Sequence, residues 1–145
     1  MKKKYLFVVT LIFIISLFLF IFYVKNKNLY VNIIKSNWDL EMSKNYEVIY
    51  SLDTPSPFGE GERYHIFKYN NNINKNFEWE NDKNEYVENE FTKIISKLNI
   101  DREYKPDFKE EYKYYYKIET SSSKSKKIFI IYFYNSNIIY IVEDF

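Results

Sequence analysis

Residues 46–69 read YEVIYSLDTPSPFGEGERYHIFKY, and the folding of this stretch decides the domain. Tyr46, Val48, Tyr50 and Leu52 alternate with Glu47, Ile49 and Ser51. That period of two predicts a strand with one better-buried face. YHIFKY, residues 64–69, predicts a second strand. The patch between them holds Pro55 and Pro57, both glycines and the carboxylates of Asp53, Glu60 and Glu62. Proline fixes φ and glycine permits sharp turns, so the strands are expected to form an antiparallel hairpin with a long, stiffened loop.

The same loop supplies the candidate binding residues Asp53, Phe58, Glu60 and Glu62. Oxygens on a rigid loop suit a cation or a partner surface, but this spacing is not that of an EF-hand. Hairpin loops are also acidic and glycine-rich for conformational reasons alone. We therefore read a contact loop and assign no metal, no cofactor and no catalytic residue to it. His65 is the one histidine. It is either a structural strand residue or an acid–base group, and a Ser-His-Asp relay would have to be built around it.

Further along, NNNINKN (70–76) reads as a polar turn with no capacity to form core. Asp82 to Leu98 reads as a helix, with Val87, Phe91, Ile94, Ile95 and Leu98 on one stripe. Asn81 is its expected N-cap, and Asn99 is expected to close it in a left-handed conformation. Tyr112, Tyr114, Tyr116 and Ile118 alternate with more polar neighbours, which predicts a third strand. TSSSKSKK (120–127) reads as a flexible connection. IFIIYFY (128–134) and IIYIV (138–142) flank Asn135-Ser136-Asn137. They predict a tight hairpin, apolar on both faces and hence near the sheet centre. The sum is an α+β fold: an N-terminal transmembrane helix, then a mainly antiparallel β-β-α-β-β-β sheet with one amphipathic helix on a face. Tyrosines 112, 114, 115, 116, 132, 134 and 140 are a further candidate, as a stacking platform. Tyrosine also favours strands simply because it packs well on a pleated surface.

Working back to the N-terminus, LFVVTLIFIISLFLFIFYV (6–24) has no charge, no proline and no glycine. Its 19 residues make a helix of roughly 28 Å, about the thickness of a bilayer's hydrocarbon core. A cleaved signal peptide would have a shorter apolar core and small residues before the cut, whereas YVKNKNLYVN follows here. Lys2, Lys3 and Lys4 favour a cytoplasmic N-terminus, opposed by Lys25 and Lys27. The expected organisation is a cytoplasmic tail (1–4), a bilayer-spanning anchor (5–24), a juxtamembrane segment (25–43) and an extracytoplasmic domain (44–145).

Composition excludes several classes. Cysteine is absent, so disulfides, thiol nucleophiles, thiolate metal sites and lipoprotein acylation are out. Taking the three N-terminal lysines from the 21 Lys and Arg leaves 18 against 20 Asp and Glu. With arginine only at Arg63 and Arg102, the domain lacks the basic footprint of a nucleic-acid binder. The abundance of Asn, Lys, Ile, Tyr and Phe is the bias that AT-rich codons produce. There is no P-loop, GxSxG or HExxH motif.

Asp53-Thr54, Phe58 and Gly59-Glu60-Gly61-Glu62, followed by an aromatic strand, resemble a loop motif. The motif is D-[ST]-H-G-G-F-H-G-D-G-E, found in small membrane or surface proteins of Gram-positive bacteria. The likeness spans about ten residues, and the order of elements fits over 44–145. Pro55-Ser56-Pro57 replaces the motif's His-Gly-Gly, and its second His has no counterpart. The resemblance therefore implies fold and cell-surface placement, and any chemistry of those histidines is lost. The expectation is a non-enzymatic, membrane-anchored outer domain that binds an envelope protein or cell-wall component. The alternatives are a carboxylate-dependent envelope enzyme built on Asp53 with Glu60 or Glu62, or an immunity-type or regulatory protein acting through its transmembrane helix.

Overall fold

The computed structural model describes residues 2–27, 29–54, 61–70, 73, 77–121 and 125–145. The chain divides into two compact units, Met1–Lys44 and Asn45–Phe145.

The first unit is helical. Helix α1 runs Lys2–Lys27 and α2 runs Leu29–Trp38. α1 is apolar around its whole circumference, and its described side chains from Val8 to Val24 are exposed. It is long and apolar enough to cross a membrane, with mean hydropathy 2.6 over its best window. Ser16 donates its hydroxyl to the Phe13 carbonyl at 2.9 Å, which removes a free polar group from the apolar run. α2 continues the helical spacing, placing Tyr30, Ile34 and Trp38 on one face, and ends at Asp39 with φ 57°.

The second unit is an antiparallel sheet with a helix on one face, the α+β class expected. Its strands are β1 (Tyr46–Asp53), β2 (Glu62–Tyr69), β3 (Lys113–Thr120), β4 (Ser125–Phe133) and β5 (Ile138–Asp144), in the order β1-β2-β5-β4-β3. Helix α3 (Glu85–Lys97) follows β2 in the chain. Its stripe of Val87, Phe91, Ile94 and Ile95 packs with Leu98 over Tyr64, Ile66, Phe129, Ile131, Phe133 and Val142. Burying each such side chain contributes about 1.5–3 kcal/mol. β4 and β5 are buried on both faces, with Ile128, Ile130, Ile139 and Ile141 on the face away from α3. That double burial is why β4 is apolar from Ile128 to Phe133 and β5 from Ile138 to Val142.

Several boundaries differ from expectation. α3 starts three residues later than predicted, capped by Asn84 rather than Asn81. The Asn84 side chain accepts from the N–H groups of Tyr86 at 3.0 Å and Val87 at 3.3 Å. Glu80 is held extended by paired backbone bonds with Tyr114, so the chain cannot turn helical immediately after it. Asn99 does close the helix region at φ 51°. β4 begins at Ser125, because Ser125, Lys126 and Lys127 pair with Thr120, Glu119 and Ile118. Those residues extend the ladder instead of belonging to a loose connection. Ile73, inside the polar NNNINKN run, is buried.

β1 departs most. The register slips at a bulge between Val48 and Tyr50. Tyr46 and Val48 oppose Tyr69 and Phe67 on the face away from α3, while Tyr50 and Leu52 oppose Ile66 and Tyr64 on the α3 face. The four apolar residues therefore do not share one face. A bulge shifts the pleat by one residue, and every side chain beyond it changes side.

Candidate functional site

Three backbone bonds fix the phase of the β2 ladders. Phe145 N–H donates to Gly61, Tyr69 N–H donates to Asn137, and Thr54 N–H donates to Glu62. Hydrogen-bonded and non-hydrogen-bonded pairs alternate along an antiparallel ladder. Odd-numbered residues of β2 therefore bond β5, and even-numbered ones bond β1. Ser51 opposite His65, and Asp53 opposite Arg63, are consequently non-hydrogen-bonded pairs. In such pairs the side chains sit closest, and the backbone groups of Ser51 and Asp53 point to the outer side of β1. Among the described residues no strand pairs with the outer side of β1, so those N–H and C=O groups lie along a sheet edge.

The side chains of these pairs form a connected polar group. Ser51 Oγ lies 2.9 Å from His65 Nδ1, and His65 Nε2 lies 2.9 Å from Asp53 Oδ1. An ionised carboxylate only accepts, so Nε2 carries the imidazole proton and Nδ1 accepts from the Ser51 hydroxyl. His65 is only 2 % exposed, whereas Ser51 is exposed and Asp53 is half-exposed. The His65 hydrogen bond holds the Asp53 carboxyl below the usual range, and the charge of Arg63 adds to the effect.

Arg63 extends the group toward the sheet centre. Its Nε is 3.8 Å from Asp53 Oδ1, and its Nη1 is 3.6 Å from Glu143 Oε2. Glu143 is fully buried, so the guanidinium beside it offsets the cost of a carboxylate removed from water. The Phe145 ring lies 4.7 Å below the guanidinium carbon.

Among the loop residues proposed from sequence, Phe58 and Glu60 lie outside the described residues. Asp53 belongs to the polar group just described. Glu62 projects to the α3 face instead, where Lys97 Nζ meets it at 2.9 Å and Asp144 at 3.5 Å. Asp53 and Glu62 are therefore not brought together. Between them the loop base is clamped. Thr54 Oγ1 donates to the Glu62 carbonyl at 2.8 Å and accepts from the Glu62 N–H at 3.0 Å. Gly61 has φ 146°, and a Cβ there would meet the Thr54 oxygen at 2.0 Å. Glycine at 61 is a steric requirement of the clamp.

The tyrosines do not assemble into one platform. Tyr112, Tyr114 and Tyr132 are buried, and Tyr115 lies on the opposite face from Tyr114 and Tyr116. Tyr112 donates to Glu88 and Tyr114 to Glu80, which gives each buried hydroxyl the partner it needs. Burial is the main force raising both tyrosine pKa values, with the adjacent carboxylates adding to it. Tyr86 and Tyr116 meet edge to face and stay partly exposed, as does Ile118 further along β3. Near the start of α3, an open cleft of about 290 Å³ is lined by Asp82, Lys83, Glu111, Lys113 and Tyr134. Lys83 there donates to the Phe108 carbonyl at 2.7 Å and Tyr134 to Glu111, so both are engaged in the fold.

Sequence reasoning named Asp53 and His65 separately and missed Ser51 and Glu143. The available signal was the register of a hairpin with a long loop, and a one-residue slip would have put Ser51 and His65 on opposite faces. Among the described residues, no group of three His, Asp or Glu side chains is arranged to hold a metal ion. No family model, curated protein or solved structure matches the chain.

Proposed function

We propose that the protein is a single-pass membrane protein whose α+β unit lies on the extracytoplasmic side and binds an extended segment of an envelope protein along the β1 edge. In this reading α1 is an uncleaved anchor, and residues 1–4 stay in the cytoplasm. The observation that carries the reading is the outer side of β1. The N–H groups of Val48 and Asp53 point away from β2, which is the template used in β-strand addition. Exposed Val48 and Ile49 at the bulge offer apolar contact beside it. The apolar span of α1, the lysine bias at its start and the resemblance to Gram-positive surface proteins support the placement.

The absence of cysteine makes topology directly testable. Glu103→Cys, in an exposed turn of the second unit, should react with a membrane-impermeant maleimide on intact cells. Lys3→Cys should react only after lysis. The reverse pattern sinks the orientation. For the edge, a photocrosslinker at exposed Glu47 should capture a defined partner. Val48→Pro removes one outward N–H and spares the ladder to β2, so it should abolish that adduct. An adduct unchanged by Val48→Pro rules out strand addition.

A further inference from the structure

The geometry points to an acyl-transfer activity in which Ser51 is the nucleophile, His65 the general base and Asp53 the carboxylate that positions it, acting on carboxylic esters presented at the β1 edge. This goes beyond the binding reading and depends neither on the anchor nor on a protein partner. A hydrolytic serine needs a base within hydrogen-bond reach and a third group fixing that base. It also needs room for a carbonyl above its oxygen and a donor for the developing oxyanion.

The two 2.9 Å bonds of His65 supply the first pair. The ring nitrogens are exchanged relative to the usual serine-hydrolase order, with Nδ1 facing serine and Nε2 facing the carboxylate. Either ring nitrogen can carry the proton, and the Asp53 carboxylate at Nε2 fixes the tautomer that leaves Nδ1 free to act as the base. Exposure of Ser51 on the terminal strand leaves room for the carbonyl. The donor is the N–H of Ser51 itself, which the ladder phase turns outward. Burial of the His65 ring holds it in place, while its Nδ1 faces the exposed Ser51 side, where water can reach it.

The steps balance without a cofactor. The Ser51 hydroxyl proton passes to Nδ1 as Oγ bonds the acyl carbon, and the oxyanion forms against the Ser51 N–H. Collapse breaks the acyl–oxygen bond, and the leaving alcohol takes the proton from Nδ1. Water then gives a proton to Nδ1 and its hydroxyl to the acyl carbon. The carboxylic acid departs, and the proton returns to Ser51. The proton on Nε2 stays in place throughout, and Asp53 stabilises the transient imidazolium. One backbone donor is a partial oxyanion hole, and each donor is worth on the order of 10²–10³ in rate. Esters, with their better leaving groups, are therefore the matched substrates rather than amides.

The test uses the full chain in detergent micelles. A fluorophosphonate probe, mapped by peptide mass spectrometry, should modify Ser51 in the wild type, a readout that needs no variant. p-Nitrophenyl butyrate hydrolysis should fall to background in Ser51→Ala. Asp53→Asn should lower kcat by about 10²–10⁴-fold with little change in KM and shift the acid limb of the pH–rate profile. Wild-type Ser51 left unmodified by the probe overturns the inference. So does ester hydrolysis that persists in Ser51→Ala, because either result makes the relay a structural hydrogen-bond chain.

Discussion

The β4–β5 hairpin and the β1–β2 hairpin are built on opposite terms. β4 and β5 pair without irregularity from Lys127–Asp144 to Phe133–Ile138 and reverse through Tyr134–Asn137. Both faces are apolar, and the turn is set by Asn137 at φ 56°, whose side chain accepts from the Tyr132 hydroxyl at 3.0 Å. β1 and β2 carry a bulge, a clamped long loop and a polar row on the face away from α3. The β4–β5 hairpin supplies the centre of the core. The β1–β2 hairpin adds Tyr64, Ile66, Phe67 and Tyr69 to that core, yet it also holds Ser51 and Asp53 on the edge strand against buried His65 and half-buried Arg63. The difference teaches that stability and chemistry are segregated by strand position.

The strongest way to break that contrast is to hollow the central hairpin. Phe129 is fully buried and stacks on Tyr116, with ring centroids 5.9 Å apart. Phe129→Ala should cost about 3–5 kcal/mol in urea unfolding followed by near-UV circular dichroism, since the surrounding sheet cannot collapse into the space. Leu52→Ala on the partly exposed edge strand should cost clearly less. Equal losses would mean that β1 is as much a part of the core as β4.

Next in size is the clamp. Gly61→Ala forces a side chain onto the Thr54 carbonyl at a backbone conformation that L-residues rarely adopt. Strain of this kind costs about 1–3 kcal/mol. The expected signature is a lowered melting temperature together with loss of the Ser51–His65 contact, read as a shift of the His65 ring resonances. An unshifted His65 in a destabilised protein would separate the register of the polar row from the clamp.

These two regions also differ in how much of them could be read beforehand. IFIIYFY and IIYIV announce a central hairpin, because strands buried on both faces must be apolar and a three-residue polar gap leaves little freedom of register. The stripe from Val87 to Leu98 is legible for a similar reason, since a helix's period depends on no partner. Its start was not, because Asn81 and Asn84 are chemically identical caps. The bridge between Glu80 and Tyr114, far apart in sequence, selects between them. Ser51 and His65 were least legible. Their meeting depends on the register across a long loop, and the bulge at Ile49 breaks the alternation that would otherwise report faces.

The polar row should also reveal itself through pH. Asp53 has its folded-state pKa lowered, chiefly by the His65 hydrogen bond. A depressed carboxylate contributes stability that is present above its unfolded value of about 3.9 and is lost as pH falls through the folded value. Wild type should therefore lose stability below about pH 4 that Asp53→Asn never had, and the two unfolding curves should converge in acid. Because Asp53 is half-exposed, the gap at neutral pH should stay under about 1 kcal/mol. Parallel curves at all pH values would mean that Asp53 is not the ionised partner of His65.

The smallest effect expected lies where the loop end of the β1–β2 hairpin meets the helix. Lys97 bridges Glu62 and Asp144, and these two carboxylates keep its ammonium charged, first through the Glu62 hydrogen bond. The lysine is about half-exposed, so water and salt screen both pairs. Lys97→Met keeps the aliphatic stem over the sheet and removes only the charge. It should change unfolding free energy by no more than about 0.5 kcal/mol, and the difference should vanish in about 1 M salt. A loss several times larger, insensitive to salt, would show that the β2–β5 ends lean on α3. The Thr54–Glu62 clamp and the ladder would then no longer suffice to hold Ser51 opposite His65, and the edge would owe its geometry to the core after all.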